Sequence, residues 1–192
     1  MPLTVLTICG SLRQGSFNAM TQRALPALAP QGMQMTSAPS FADFPPLDMD
    51  ALATGGYPPQ VLALADAMRA ADGVIICSPE YNRTIPGALK NALDWVSATP
   101  TQPFAGKPMA ILSASPGPIG AARMQYDLRK VLAALDAVLL NAPEVFIGEC
   151  AGKFDPGTGA LTDQATRGLI EQQLAAFESL IRRLRPGTNL AA

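Results

Sequence analysis

The sequence predicts an α/β domain: a five-stranded parallel sheet with helices on both faces. Three observations carry this. Apolar runs of strand length alternate with segments of helical spacing along the whole chain. The runs Gly73–Ser78 (GVIICS) and Met109–Ser115 (MAILSAS) are apolar without alternation, as parallel strands covered on both sides must be. About five strand–helix units follow one another with no internal repeat and no linker. Residues 1–192 therefore read as one domain, with 184–192 expected to be a flexible tail.

Leu3–Cys9 is the first apolar strand, and Phe17–Leu28 follows as a helix stopped near Pro30–Gly32. Met33–Ser37 is a second strand of weaker pattern. Residues 38–59 are rich in Pro, Asp and Gly and read as a long loop. Val61, Leu64, Ala65 and Met68 then recur at helical spacing. After the strand at 73–78, Pro86 suits the first position of a helix over 86–97, with Leu89, Leu93 and Val96 on its buried face. The strand at 109–115 leads to a helix marked by Met124, Leu128, Val131, Leu132 and Leu135. Ala137–Leu140 is the fifth strand, which Val145–Ile147 continues past Pro143. A turn at 154–159 precedes a last helix lined by Ala165, Leu169, Leu174, Phe177, Ile181 and Leu184.

Composition excludes several classes of chemistry. The chain has no histidine, so Ser-His triads, imidazole metal sites and histidine acid–base relays are absent. A net charge of −1 gives no bulk attraction to nucleic acid or an acidic membrane surface. Cys9, Cys77 and Cys150 have neither CxxC nor zinc spacing and read as buried small hydrophobes in a reducing cytoplasm. No metal site is expected. The first residues lack the basic region of a signal peptide, and no stretch approaches the ~20 apolar residues of a membrane span. Charged residues are only 15% of the chain, a lean surface that points to an oligomer.

In a parallel α/β sheet, ligands bind at the carboxyl ends of the strands. Three polar loops fall at that edge. GSLRQGSFN at 10–18 places Ser11, Arg13, Ser16 and Asn18 at the mouth of a helix, whose free N–H groups and dipole attract an anion. Neither GxxxxGK[ST] nor GxGxxG is present, so one guanidinium and neutral donors suit a terminal phosphomonoester. A capped helix with a solvated arginine would read the same way. Pro79-Glu80-Tyr81-Asn82 offers a flat ring for stacking, hydrogen bonds from Asn82 and the backbone, and a carboxylate that could pair with an arginine or hold a loop amide. As a simple turn, Pro and Asn would serve geometry alone. The loop SASPGPIG at 113–120, with Ser115 and Gly117, lets backbone approach a flat ligand, or merely turns the chain. Together the loops describe a planar aromatic ligand ending in a monophosphate, and FMN fits that outline.

With these three loops in place, the chain resembles the NADPH-dependent FMN reductase family, whose fold is flavodoxin-like. GSLRQGSFN resembles the family's phosphate loop. PEYN at 79–82 with IPGALKNALDWVS at 85–97 is similar to its flavin-ring segment and following helix. SASPGPIGAARMQYDLR at 113–129 is similar to its third flavin loop. The likeness runs over residues 3–181. It implies FMN held by Ser11, Arg13, Ser16, Asn18, Pro79, Glu80, Tyr81, Asn82, Ser115 and Gly117. NAD(P)H would be the co-substrate, and the acceptor a quinone, an azo dye, chromate or free flavin. No dedicated catalytic residue is implied, because hydride transfer needs no side-chain nucleophile. The family also implies a homodimer or homotetramer, with Arg123, Tyr126 and Glu144 near the site edge. Two departures stand out: Gly120-Ala121 where many relatives have two glycines, and Arg83 after PEYN. The alternatives are an FMN-binding electron-transfer protein without direct NAD(P)H turnover, and a regulator that kept the fold.

Overall fold

Each apolar run closes a ladder with its neighbours. In the computed structural model, which describes residues 2–185, Leu3–Cys9 is β1, Met33–Ser37 is β2, Gly73–Cys77 is β3 and Pro108–Ala114 is β4. All pairings are parallel, and the order is β2-β1-β3-β4. The unalternating apolar runs are explained by the two faces. Val74 and Ile76 of β3 enter one core, while Ile75 and Cys77 enter the other. Met109 and Ile111 of β4 likewise face away from Ala110 and Leu112.

One face is covered by α3 (Pro59–Ala70), α4 (Gly87–Ser97) and α5 (Ala122–Ala134), through Met68, Trp95 and Leu128 among others. The other is covered by α1 (Phe17–Leu28) and α6 (Gln164–Leu184), through Leu25, Leu174 and Phe177. At about 1.5–3 kcal/mol for each fully buried large apolar side chain, these two layers supply most of the gross driving force for the fold.

The fifth strand is interrupted. Val138–Leu139 (β5) and Val145–Ile147 (β6) both pair with β4, where Pro108 opposes Val138 and Leu112 opposes Val145. Four steps along β4 thus match seven along its neighbour. Two buried glutamines hold the break from opposite faces. Gln125 Nε2 donates to the Val145 carbonyl at 2.9 Å, and Gln173 Nε2 to the Pro143 carbonyl at 2.8 Å.

Two local expectations are corrected. Segment 38–59 contains a short helix, α2 (Met49–Gly55), capped by Asp48 accepting from the Asp50 and Ala51 N–H groups. None of its residues is buried, so it left no apolar periodicity to read. The rest of the segment is fastened to α4, where Trp95 Nε1 and Asn91 Nδ2 both donate to the Pro45 carbonyl. Pro86 occupies the cap before α4 rather than its first turn, with extended backbone at ψ 133°. At the far end, Leu184 closes α6 and Arg185 pairs with Asp72 at 2.6 Å. The remainder of the expected tail, 186–192, lies outside the described residues.

Candidate functional site

β1 and β3 are neighbours, yet the helices that follow them, α1 and α4, pack on opposite faces. That reversal opens a crevice at the carboxyl ends of the two strands. Gly10 is required there by close approach. A Cβ at Gly10 would lie 2.4 Å from Ser78 Oγ and 2.7 Å from Ser78 Cβ. Its N–H donates to the Cys77 carbonyl at 2.8 Å, which starts the first loop directly against β3.

The loop then turns into α1. Ser16 is the N-cap, its Oγ accepting from the N–H groups of Asn18 and Ala19 at 3.2 and 3.4 Å. The Arg13 N–H donates to Ser11 Oγ at 3.3 Å, and the Arg13 guanidinium donates to the Gly15 carbonyl. The backbone N–H groups of Gln14, Gly15 and Phe17 make no hydrogen bond with other described residues. A cleft of about 240 Å³ opens beside this loop, with Phe17 among the residues that line it.

Eight of the ten residues expected at the site line this cleft: Ser11, Arg13, Ser16 and Asn18 from the first loop, Pro79, Glu80 and Tyr81 from the second, and Ser115 from the third. Asn82 and Gly117 do not line it. Asn82 has φ 49° and serves the turn that Tyr81 and Thr84 close. The Gly117 carbonyl accepts from the Glu149 N–H at 3.1 Å. Phe17, Ala114 and Pro116 also line the cleft; they belong to the loops read as the site but were not among its ten named residues. Phe17 and Pro116 lie beside predicted loop residues, so adjacency was their only signal.

Asn18 has a role that the sequence did not reveal. It is buried, and its carboxamide bonds both the carbonyl and the N–H of Ala114. Glu80 pairs with an arginine, as expected, and holds a helix amide rather than a loop amide. Its carboxylate accepts from the Met124 N–H at 3.3 Å and pairs with Arg123 at 3.3 Å. The N-cap of α5, Ala121, offers no side-chain bond and sits at φ 66°, so Glu80 supplies the anion that this helix start lacks. Left-handed backbone costs an L-residue roughly 1–2 kcal/mol, which applies to Ala121 and also to Arg83 at φ 70°. Beneath Ala121, Gly120 has φ 58°, and a Cβ there would lie 2.7 Å from the Phe146 backbone.

The comparisons with known proteins now bear on this cleft. Residues 3–152 match the model of the family described as NADPH-dependent FMN reductase. The chain belongs to this family. It is 49% identical over 183 residues to a quinone reductase of Escherichia coli K12, covering 95% of this chain and 97% of that one. It is 45% identical, with the same coverage, to an NAD(P)H-dependent FMN reductase of Pseudomonas aeruginosa. Among solved structures, the flavoenzyme NAD(P)H:(acceptor) oxidoreductase FerB of Paracoccus denitrificans superposes with a TM-score of 0.84 at 34% identity, covering 94% of this chain and 98% of that one.

This FMN reductase family member is therefore an oxidoreductase on a flavodoxin-like sheet, and its family works with FMN and NAD(P)H. The residues present fit FMN. Free N–H groups at a helix start, with Arg13 and Ser11 beside them, suit a phosphate. Tyr81, about half exposed, and the prolines Pro79 and Pro116 give the cleft apolar walls for a ring. The thiols offer no nucleophile. All three are free; burial raises the pKa of Cys9, pushes that of Cys77 well up, and carries that of Cys150 to about 11. Among the described residues, no group of His, Cys, Asp or Glu gathers to hold a metal, and no helix is long and apolar enough to cross a membrane.

Proposed function

We propose that this protein reduces quinones or flavins with NAD(P)H, using FMN held in the β1/β3 cleft. The observation that carries this is the convergence of the Ser11–Ser16 loop and Pro79–Tyr81 on one crevice at the switch point of the sheet. When bound there, FMN would supply a hydride acceptor for the nicotinamide and a two-electron donor for the acceptor. Arg13, Ser11 and the unpaired N–H groups at the start of α1 bind its phosphate. The Arg13 guanidinium leaves the Gly15 carbonyl for a charged partner, a stronger bond. Pro79 and Tyr81 bound the ring on one side, and Ser115 with the backbone around it on the other. Asn18 and Glu80 act one step back. Asn18 holds the end of β4 against α1, and Glu80 holds the second loop against α5. No side chain is asked to attack the substrate or relay a proton, in keeping with a chain that lacks histidine and ionised thiols.

A quinone is the acceptor favoured by the likeness to a named quinone reductase. Azo compounds and chromate are further acceptors of the same exposed site. The three free thiols support a reducing, cytoplasmic setting. We infer a dimer or tetramer as well, joined near Tyr126. Its ring is half exposed, with its centroid 6.2 Å from that of Phe146, beside Arg123 and Glu144. A monomer by light scattering removes that inference.

The competing reading is a carrier that binds FMN but does not react with NAD(P)H. The net charge of −1 disfavours it, because electrostatic docking to redox partners calls for a strongly charged face. The test is anaerobic addition of NADPH to the FMN-loaded protein, followed by a quinone. The enzyme bleaches with NADPH and recovers its colour with the quinone; a carrier stays oxidised throughout.

A further inference from the structure

The turn after Tyr81 carries an arginine in a conformation that arginine does not favour. Tyr81 and Thr84 exchange both backbone hydrogen bonds at 3.1 Å, and the two residues between them, Asn82 and Arg83, have φ of 49° and 70°. Positive φ at both central positions defines a type I′ turn, which Asn-Gly satisfies without steric cost. Asn82 follows that preference. Arg83 stands where glycine would be unstrained. Strain of this kind concentrates at functional sites, where the side chain rather than the backbone is needed.

Nothing within the described fold uses the guanidinium. Arg83 is exposed and makes no ion pair or side-chain hydrogen bond with other described residues. Charged residues of the cleft and of α5 have partners of their own. Arg123 pairs with Glu80, and Arg13 bonds the Gly15 carbonyl. Asp127 pairs with Lys130 at 2.9 Å. Arg83 is thus an uncompensated cation on a tight, hydrogen-bonded turn. The residue that opens this turn, Tyr81, lines the cleft.

We propose that Arg83 binds the 2′-phosphate of NADPH and sets the preference of this enzyme for NADPH over NADH. The proposal rests on the reading of the cleft as the site where a nicotinamide nucleotide is oxidised. A quinone, the acceptor favoured above, brings no dianion for a guanidinium to read, and a role toward chromate would leave both nucleotides unaffected. The two nucleotides differ by one group, a 2′-phosphate in place of a hydroxyl. A guanidinium donates paired N–H bonds to phosphate, and Arg83 stands two residues from Tyr81 of the cleft wall.

The test uses the full-length, FMN-loaded protein as wild type, Arg83→Gln, Arg83→Lys and Arg83→Gly. Two quantities are measured for each: the ratio of kcat/KM for NADPH to that for NADH, and the affinities of NADP+ and NAD+ by calorimetry. The ratio is expected to fall about 10–100-fold in Arg83→Gln and Arg83→Gly, the range of a lost charge-assisted bond. The loss is carried by KM, the NADP+ affinity falls by a similar factor relative to NAD+, and Arg83→Lys keeps part of the preference. Arg83→Gly melts no lower than wild type, because glycine suits the turn. An unchanged ratio overturns the proposal. So does an equal loss for both nucleotides, which would assign Arg83 to the shared pyrophosphate. If neither nucleotide reduces the wild type while FMN stays bound, the reading of the cleft itself fails.

Discussion

The Asn18 carboxamide and the Ala114 backbone exchange two hydrogen bonds of 2.9 Å, Asn18 Nδ2 donating to the Ala114 carbonyl and the Ala114 N–H donating to Asn18 Oδ1. The pair fastens the first turn of α1 to the last residue of β4, at the wall of the cleft. Asn18→Ala strands both buried Ala114 groups, at a cost of about 1–3 kcal/mol. A lower Tm and weaker FMN binding are expected together. Asn18→Asp separates the two effects. It keeps the acceptor for the Ala114 N–H, loses the donor to the Ala114 carbonyl as Asn18→Ala does, and adds a charge that α1 tolerates in its first turn but that repels a phosphate. FMN titration should show a larger loss than thermal unfolding does. Equal losses would mean that Asn18 acts through folding alone.

Glu80 joins two walls of the cleft through the Met124 N–H and Arg123. Glu80→Ala removes an anion from the start of a helix that has no other side-chain cap, and should cost about 0.5–2 kcal/mol. Glu80→Gln still accepts from Met124 and loses only the pair with the half-exposed Arg123, so about 1 kcal/mol or less is expected. Urea denaturation of both variants checks the order. A Gln variant as unstable as the Ala variant would place the stabilisation in the ion pair instead.

Stability should be flat from about pH 5 to 8 and fall on either side. With no histidine, no side chain titrates in the middle of that range by its ordinary value. On the acid side, burial raises the Asp72 pKa, but Arg185, the Thr4 N–H and Lys107 outweigh it and hold the carboxyl low. Bonds from Thr158 and Thr166 hold Asp155 and Asp163 low. Their folded pKa values lie below the unfolded value of about 3.9, so their contribution is present above it and is lost as pH falls through the folded values. On the alkaline side, burial holds Cys77 and Cys150 above the unfolded thiol value of about 8.5. Their contribution is present below that value and lost as pH rises toward the folded one. Thermal melts across the range check both limbs. A step near pH 6.5 would contradict this account.

The sheet and the position of the site were legible because local pattern and global fold agree. GVIIC and PMAILSA are apolar throughout because both of their faces are covered. Polar residues cluster in loops at one edge because that is where the strand order reverses. Legibility ended where a side chain has a distant partner. Asn18 was visible as a polar residue at a helix start, but Ala114 lies 96 positions away. Asn82 was legible both as a hydrogen-bonding side chain and as a turn residue, and the turn uses its tolerance of positive φ. The helix at Met49–Gly55 buries nothing, so only Asp48 and Gly56 at its ends marked it.

The most direct test of the account is the equilibrium affinity of FMN for the wild type and for Arg13→Ala. If the phosphate sits at the start of α1, losing the guanidinium costs about 1.5–3 kcal/mol, and the dissociation constant rises about 10–100-fold. An unchanged dissociation constant, in a variant that melts like the wild type, would contradict the placement of FMN in this cleft.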